Sequence, residues 1–385
     1  MADITTYLSP GGEVKTSGDG PATRIVVATL NGVATLRRQA PGAPWALTGR
    51  SLEDLHVGSL VYEDSSGKLF AGAHDDGGLW VSDDGQGASW RPLTNGLDRP
   101  HVYSLAARRI GGSGGDHVTI FLGASPAALN RSDDLGESWI EITSIRDVAD
   151  TDKWTFPPPP HIPHVKQIVF HPTEPETLYV LVEQGAFLKS VDDGRSWTDL
   201  TAYAHPDDEN YRDPHRLVIK PDDPDIFYLA TGVGVYRSAD GGASFDRLTR
   251  RGDRVGYPDF VFVDPTDGRT IYMGGSPLNP PDWYANGFAG ACIMRSADEG
   301  KTWLELDHGM PKPMVGAFQA MTQHVWNGGM MLIVGSATGE IYDSEDRGAS
   351  WERISDEATP ISKGDHHLPF LSEEIRLKGA AERGV

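Results

Sequence analysis

One eight-residue pattern, Ser-x-Asp-x-Gly-x-x-Trp, returns along this chain. Ser132, Asp134, Gly136 and Trp139 match it, as do Ser190, Asp192, Gly194 and Trp197. Ser238, Asp240 and Gly242 match with Phe245 in place of Trp, then Ser296, Asp298, Gly300 and Trp303, then Ser344, Asp346, Gly348 and Trp351. A copy one residue longer ends at Trp90 (Ser82, Asp84, Gly87), and a worn copy keeps only Gly42 and Trp45, which makes seven copies. Such regular recurrence is the mark of a repeat architecture, in which each unit buries its apolar face against its neighbours.

The repeat ends at residues 45, 90, 139, 197, 245, 303 and 351 are 45 to 58 residues apart. About 40–50 residues is the size of one four-stranded propeller blade. The two intervals of 58 residues carry insertions. A mostly apolar run precedes each copy and another strand follows it, so the motif reads as a turn between two strands. Its Ser and Asp can accept hydrogen bonds from turn amides, its Gly adopts a backbone conformation other residues resist, and its aromatic ring covers apolar surface.

This pattern resembles the Asp-box, or BNR repeat, of sialidases, sortilin-type receptors, xyloglucanases and photosystem II assembly factors. The resemblance spans residues 24 to 371 and implies an all-β fold: a seven-bladed β-propeller of four-stranded blades. It says little about function, because one propeller frame hosts many unrelated sites. The expected organisation is a flexible tail over 1–20, one propeller over 21–373 and a C-terminal tail over 374–385. Blade one shows no inner strand of its own. The run His366-His367-Leu368-Pro369-Phe370-Leu371 is expected to supply it, closing the ring through a C-terminal strand.

The net charge of −21 makes nucleic acid a poor partner, because phosphate binding needs a basic surface. No apolar run reaches membrane-spanning length, the N-terminus lacks a signal-peptide pattern, and the lone Cys292 rules out an internal disulfide framework. Together these lead to the expectation of a cytoplasmic protein with a small-molecule ligand, no nucleic-acid or membrane partner, and room for a protein partner.

Histidines supply the chemical signal. Inner strands are expected to begin at His56, His101, His164 and His215, the last two residues further into its strand than His164. With His74, His161, His205, His308, His366 and His367, ten of the 13 histidines fall at the end of the blades away from the motif turns. Imidazole is the commonest metal ligand, so His56, His101, His164, His215, His366 and His367 are candidate ligands for one transition metal: Fe, Zn, Cu or Ni. Glu183, Asp259 and Tyr257 are candidate catalytic groups. The insertions bring Trp154 in one and Trp283 with Tyr284 in the other, expected with His74 and His161 to line one substrate pocket. The leading expectation is a metal-dependent enzyme acting on a small organic molecule. The alternatives are a non-catalytic interaction or ligand-binding scaffold, and a glycoside hydrolase, whose chemistry needs two facing carboxyl groups.

Overall fold

The five full-length motif copies close their turns with the same hydrogen bonds. Ser190 Oγ donates to Asp192 Oδ1 at 2.8 Å and accepts from Gly194 N at 2.8 Å. Asp192 then accepts from Ser196 N at 2.8 Å and from Ser196 Oγ at 2.6 Å. The same bonds recur from Asp240 to Ser244, Asp298 to Thr302 and Asp346 to Ser350. In these five copies the hydroxyl residue before the aromatic is thus part of the motif, a regularity the sequence pattern left out. Gly194 sits at φ +84°, in the left-handed region that glycine tolerates.

In the computed structural model the described residues are 3–98, 100–111, 117–157, 160–201, 212–355 and 359–363. They form seven sheets. The first is Thr5–Leu8, Arg24–Thr29, Gly32–Arg37 and Ala46–Ser51; the second is Val57–Glu63, Lys68–Ala73, Gly78–Ser82 and Arg91–Leu93. The third is His101–Ile110, His117–Ser125, Ala128–Ser132 and Ile140–Glu141; the fourth is Val165–Phe170, Leu178–Val182, Ala186–Ser190 and Thr198–Asp199. The fifth is Pro214–Ile219, Phe227–Thr231, Gly234–Ser238 and Asp246–Arg247; the sixth is Tyr257–Val263, Ile271–Ser276, Cys292–Ser296 and Leu304–Glu305. The seventh is Phe318–Trp326, Gly329–Ser336, Ile341–Ser344 and Glu352–Ser355, with Lys15–Ser17 added on its inner edge. The fold is the seven-bladed β-propeller of four-stranded blades expected from the repeats. From the second sheet on, the motif joins the third strand to the fourth.

The chain divides into two compact units. One comprises residues 1–107, 280–290 and 306–385, and the other 108–279 and 291–305. Within each, apolar faces of neighbouring sheets make the core. Tyr179, Leu181 and Phe187 pack on Leu217, Phe227 and Leu229 in the second unit, and Ile25, Val27 and Leu36 pack on Ala320, Met331 and Ile333 in the first.

The N-terminal segment departs from the sequence expectation. In place of a tail over residues 1–20, Thr5–Leu8 takes the inner position of the first sheet, parallel to Arg24–Val27, and Lys15–Ser17 runs parallel to Gln323–Val325. Residues 366–371, expected in that inner position, and the tail over 374–385 lie outside the described residues. Between the two short strands, Gly11 lies so close to the neighbouring backbone that a Cβ would sit 1.9 Å from Tyr103 O. Strands of four and three residues around Pro10-Gly11-Gly12 carry too little alternation to be read, although Tyr7 and Leu8 are buried.

Deleting residues 3–17 leaves the inner edges of two sheets unpaired, and the product is expected to aggregate; a soluble monomer melting like the full chain would contradict this. Ser190→Ala leaves the Gly194 amide without its acceptor and is expected to cost about 1–3 kcal/mol in urea unfolding. Hydrogen bonds, from Ser196 first and from Ser190, hold Asp192 at about 2, and Ser244 and Thr302 do the same for Asp240 and Asp298. These depressed carboxyls contribute stability above the unfolded-state value of about 3.9, and that stability is lost as pH falls through the folded value. The melting temperature is therefore expected to drop between about pH 4 and pH 2, and a flat profile there would contradict the turn network.

Candidate functional site

The inner strands share an irregularity at their starts. In five sheets the pairing of the first two strands slips by one residue, at Gly58, Lys166, His215, Asp259 and Gln319. Such a bulge leaves one residue out of the ladder and re-aims its side chain. Two residues earlier stand His56, His164, Asp213, Tyr257 and Ala317. The carbonyls of His56, His164, Asp213 and Ala317 accept from the amides of His74, Glu183, Gly232 and Ala337, 2.8 to 3.2 Å away. These bonds make the positions equivalent from blade to blade. They also place His215 two residues beyond the position of His164, as the sequence registry has it.

In the second unit these positions build a buried charged cluster. His164 Nε2 donates to Glu183 Oε2 at 2.8 Å, and Lys166 Nζ pairs with the same oxygen. His215 Nε2 lies 4.0 Å from Glu183 Oε1 and 3.5 Å from Asp213 Oδ2. His215 Nδ1 donates to the Pro258 carbonyl at 2.7 Å. His164, Glu183, Asp213 and His215 are all at most 5% exposed. Burial by itself would raise the Glu183 carboxyl, but the Lys166 ammonium, the His164 bond and the His215 ring hold it well below the usual carboxylate range. Burial pushes the His164 imidazole down, with Glu183 opposing.

An aromatic cover lies over this cluster. The Trp154 ring packs against Gly185, Thr155 N donates to Gln184 O, and Phe156 meets the His164 ring edge-on at 4.9 Å. His161 Nδ1 donates to Phe156 O at 2.8 Å, which fixes that loop rather than opening it. Tyr257, half-buried, stands edge-on to His215 at 4.8 Å. Asp259 is buried and its charge supports the guanidinium of Arg216, which burial lowers to about 10.

In the first unit, His56, His74 and His101 form a separate group. His56 stacks on His74 at 4.2 Å, and His74 Nδ1 and His101 Nε2 share a proton across 2.7 Å. Tyr103 stacks on His101 at 4.7 Å, and His56 Nε2 donates to Ser362 O at 3.3 Å. Burial lowers the His56 imidazole against the opposing Ser362 carbonyl and Asp75. Trp283, on the helix Pro280–Asn286, is 1% exposed and offers no open face to a ligand, and burial raises its neighbour Tyr284 to about 12. His205, His366 and His367 lie outside the described residues.

Of the six histidines expected to form one ligand set, His56 and His101 contact His74, His164 and His215 lie beside Glu183, and His366 and His367 are outside the described residues. Lys166 and Asp213 were missed. Asp213-Pro214-His215 parallels His164-Val165-Lys166 in the registry read from the sequence, but nothing in that registry marked Asp213 or Lys166 as site residues.

No family model matches this chain. It is 26% identical over 203 residues to a probable oligoxyloglucan-reducing end-specific xyloglucanase of Neosartorya fischeri, covering 50% of this chain and 24% of that protein. It is 26% identical over 231 residues to a xyloglucanase of Paenibacillus sp, covering 51% and 21%. The chain thus spans about a quarter of the length of these curated relatives. Among solved structures, an ancestral GH74 enzyme matches with a TM-score of 0.58 at 16% identity, covering 78% of this chain and 38% of that one. YCF48 bound to D1 peptide matches with a TM-score of 0.51 at 14% identity, covering 89% of each chain. At these identities the structural likeness establishes the fold alone.

Removing the Glu183 charge takes from Lys166, whose side chain is only 11% exposed, the carboxylate it pairs with. Glu183→Gln is expected to cost about 3–5 kcal/mol in urea unfolding, and the added change Lys166→Met to recover at least half of it. Equal losses in the single and double variants would contradict the ion pair.

Proposed function

We propose that this propeller acts on a glycan and hydrolyses a xyloglucan-type oligosaccharide at the Glu183 cluster. The observation that carries this reading is the 26% identity to xyloglucanases over about half of the chain. The cluster agrees with it in one respect: hydrolysis at a glycosidic carbon needs a carboxylate as nucleophile or base, and Glu183 is held ionised. Glu183 and Asp213 do not themselves flank a sugar, since His215 Nε2 stands within 4.0 Å of both. The relatives favour glycan hydrolysis over the metal-dependent enzyme acting on a small molecule that the histidines suggest.

The test is incubation of the full chain with xyloglucan and its oligosaccharides, following new reducing ends by chromatography. Turnover is expected, with Glu183→Gln slowing it by at least about 100-fold. Reducing ends no higher than with heat-inactivated protein would overturn the reading.

A further inference from the structure

We propose that His215, Asp213 and Glu183 bind one divalent transition cation of the zinc class. The inference shares Glu183 with the glycan reading but does not rest on it, because it concerns the binding of an ion and is tested without a substrate.

The ring of His215 carries it. Its Nδ1 can only donate to the Pro258 carbonyl, 2.7 Å away, so Nε2 is left to meet whatever faces it. Metal-binding imidazoles are commonly oriented in this way, through a carbonyl on the far nitrogen. Among the described residues Nε2 has no hydrogen-bond partner, and it is buried on a residue 1% exposed. It faces two carboxylates, and one oxygen from each lies with Nε2 inside a 4.8 Å triangle. Asp213 Oδ1 is likewise buried and has no hydrogen-bond partner among the described residues.

The spacing decides between a proton and an ion. An imidazolium donating to a carboxylate closes to about 2.7–2.9 Å. The distances here are 3.5 Å to Asp213 and 4.0 Å to Glu183. Two ligands at about 2.1 Å from one ion, at a tetrahedral angle, stand about 3.4 Å apart. Asp213 is close to that value, and Glu183 needs to move by about half an ångström.

Charge and donor type agree. Lys166 and His164 occupy Glu183 Oε2, leaving Oε1 directed to His215. Two carboxylates against one ammonium leave a buried negative charge that a dication reverses. One imidazole with two carboxylates suits Zn²⁺ or Mn²⁺ better than Mg²⁺ or Ca²⁺. Three protein ligands leave a fourth position for water, whose acidity the ion would raise. The histidines of the first unit do not compete in this way, since His74 and His101 already hydrogen-bond each other at 2.7 Å.

The test uses the full chain without a His tag, stripped by chelator and dialysed against Zn²⁺ or Mn²⁺ alone. One equivalent per chain is expected, with a higher melting temperature in Zn²⁺ and pulsed EPR of the Mn²⁺ form showing coupling to one imidazole nitrogen. His215→Gln should weaken binding by at least about 100-fold. Gly232→Ala should weaken it by about tenfold, because its Cβ would come 2.2 Å from Asp213 Oδ2. Less than about 0.1 equivalent bound by the unmodified chain overturns the site. So does coupling to several imidazoles, or binding that survives His215→Gln and is lost in His101→Ala. Should a variant fail to fold, the stoichiometry and imidazole count of the unmodified chain still decide. Reducing-end release plays no part in these measurements, so failure of the glycan reading remains distinguishable.

Discussion

A turn amide with no strand partner must find another acceptor or lose the stability of the turn. In this chain a serine hydroxyl and an aspartate carboxylate supply that acceptor at one end of blade after blade. With those ends closed by local bonds, each sheet keeps a fixed length and stacks its apolar faces on its neighbours. At the opposite ends, among the described residues, Thr29 and Thr231 repeat a smaller turn bond, each hydroxyl accepting from the amide two residues on. There the side chains differ from blade to blade: His56 and His74 in one, His164, Lys166 and Glu183 in another, Asp213 and His215 in a third. The acidic balance of the chain has a partly structural origin for the same reason, since the motif aspartates serve the turns.

Bulges convert this frame into a site. A strand without them would direct alternate residues to opposite faces of its sheet. The slips at Lys166 and His215 place an additional side chain beside those of His164 and Asp213. Glu183 arrives from the end of the adjacent strand, joined to His164 by both a backbone and a side-chain hydrogen bond. The result is a cluster in which a carboxylate stays charged although buried, because the neighbouring strand brings the Lys166 ammonium and the His164 N–H to it.

Blade number, the motif turns and most strands were legible in the sequence because they repeat. Ala128–Ser132 and Ala186–Ser190 fall where the pattern places them. Thr5–Leu8 was not legible, since it pairs with residues by direct contact and repeats nothing. At the site, His164, His215 and Glu183 were visible as residue types at strand ends. Asp213 and Lys166 were not, because a one-residue slip is a property of the pairing, and Asp213 reads as an ordinary residue before a proline. The grouping of His56 with His74 and His101 likewise depends on which rings meet.

The account rests most directly on Glu183 remaining ionised while buried. Carbon-13 NMR of the side-chain carboxyl, assigned by comparison with Glu183→Gln, follows that charge through an acid titration. At about pH 4.3, where an ordinary glutamate is half protonated, the signal is predicted to stay at its carboxylate position. A midpoint at or above that pH would mean that Lys166 and His164 do not hold the charge, and would contradict the cluster as described.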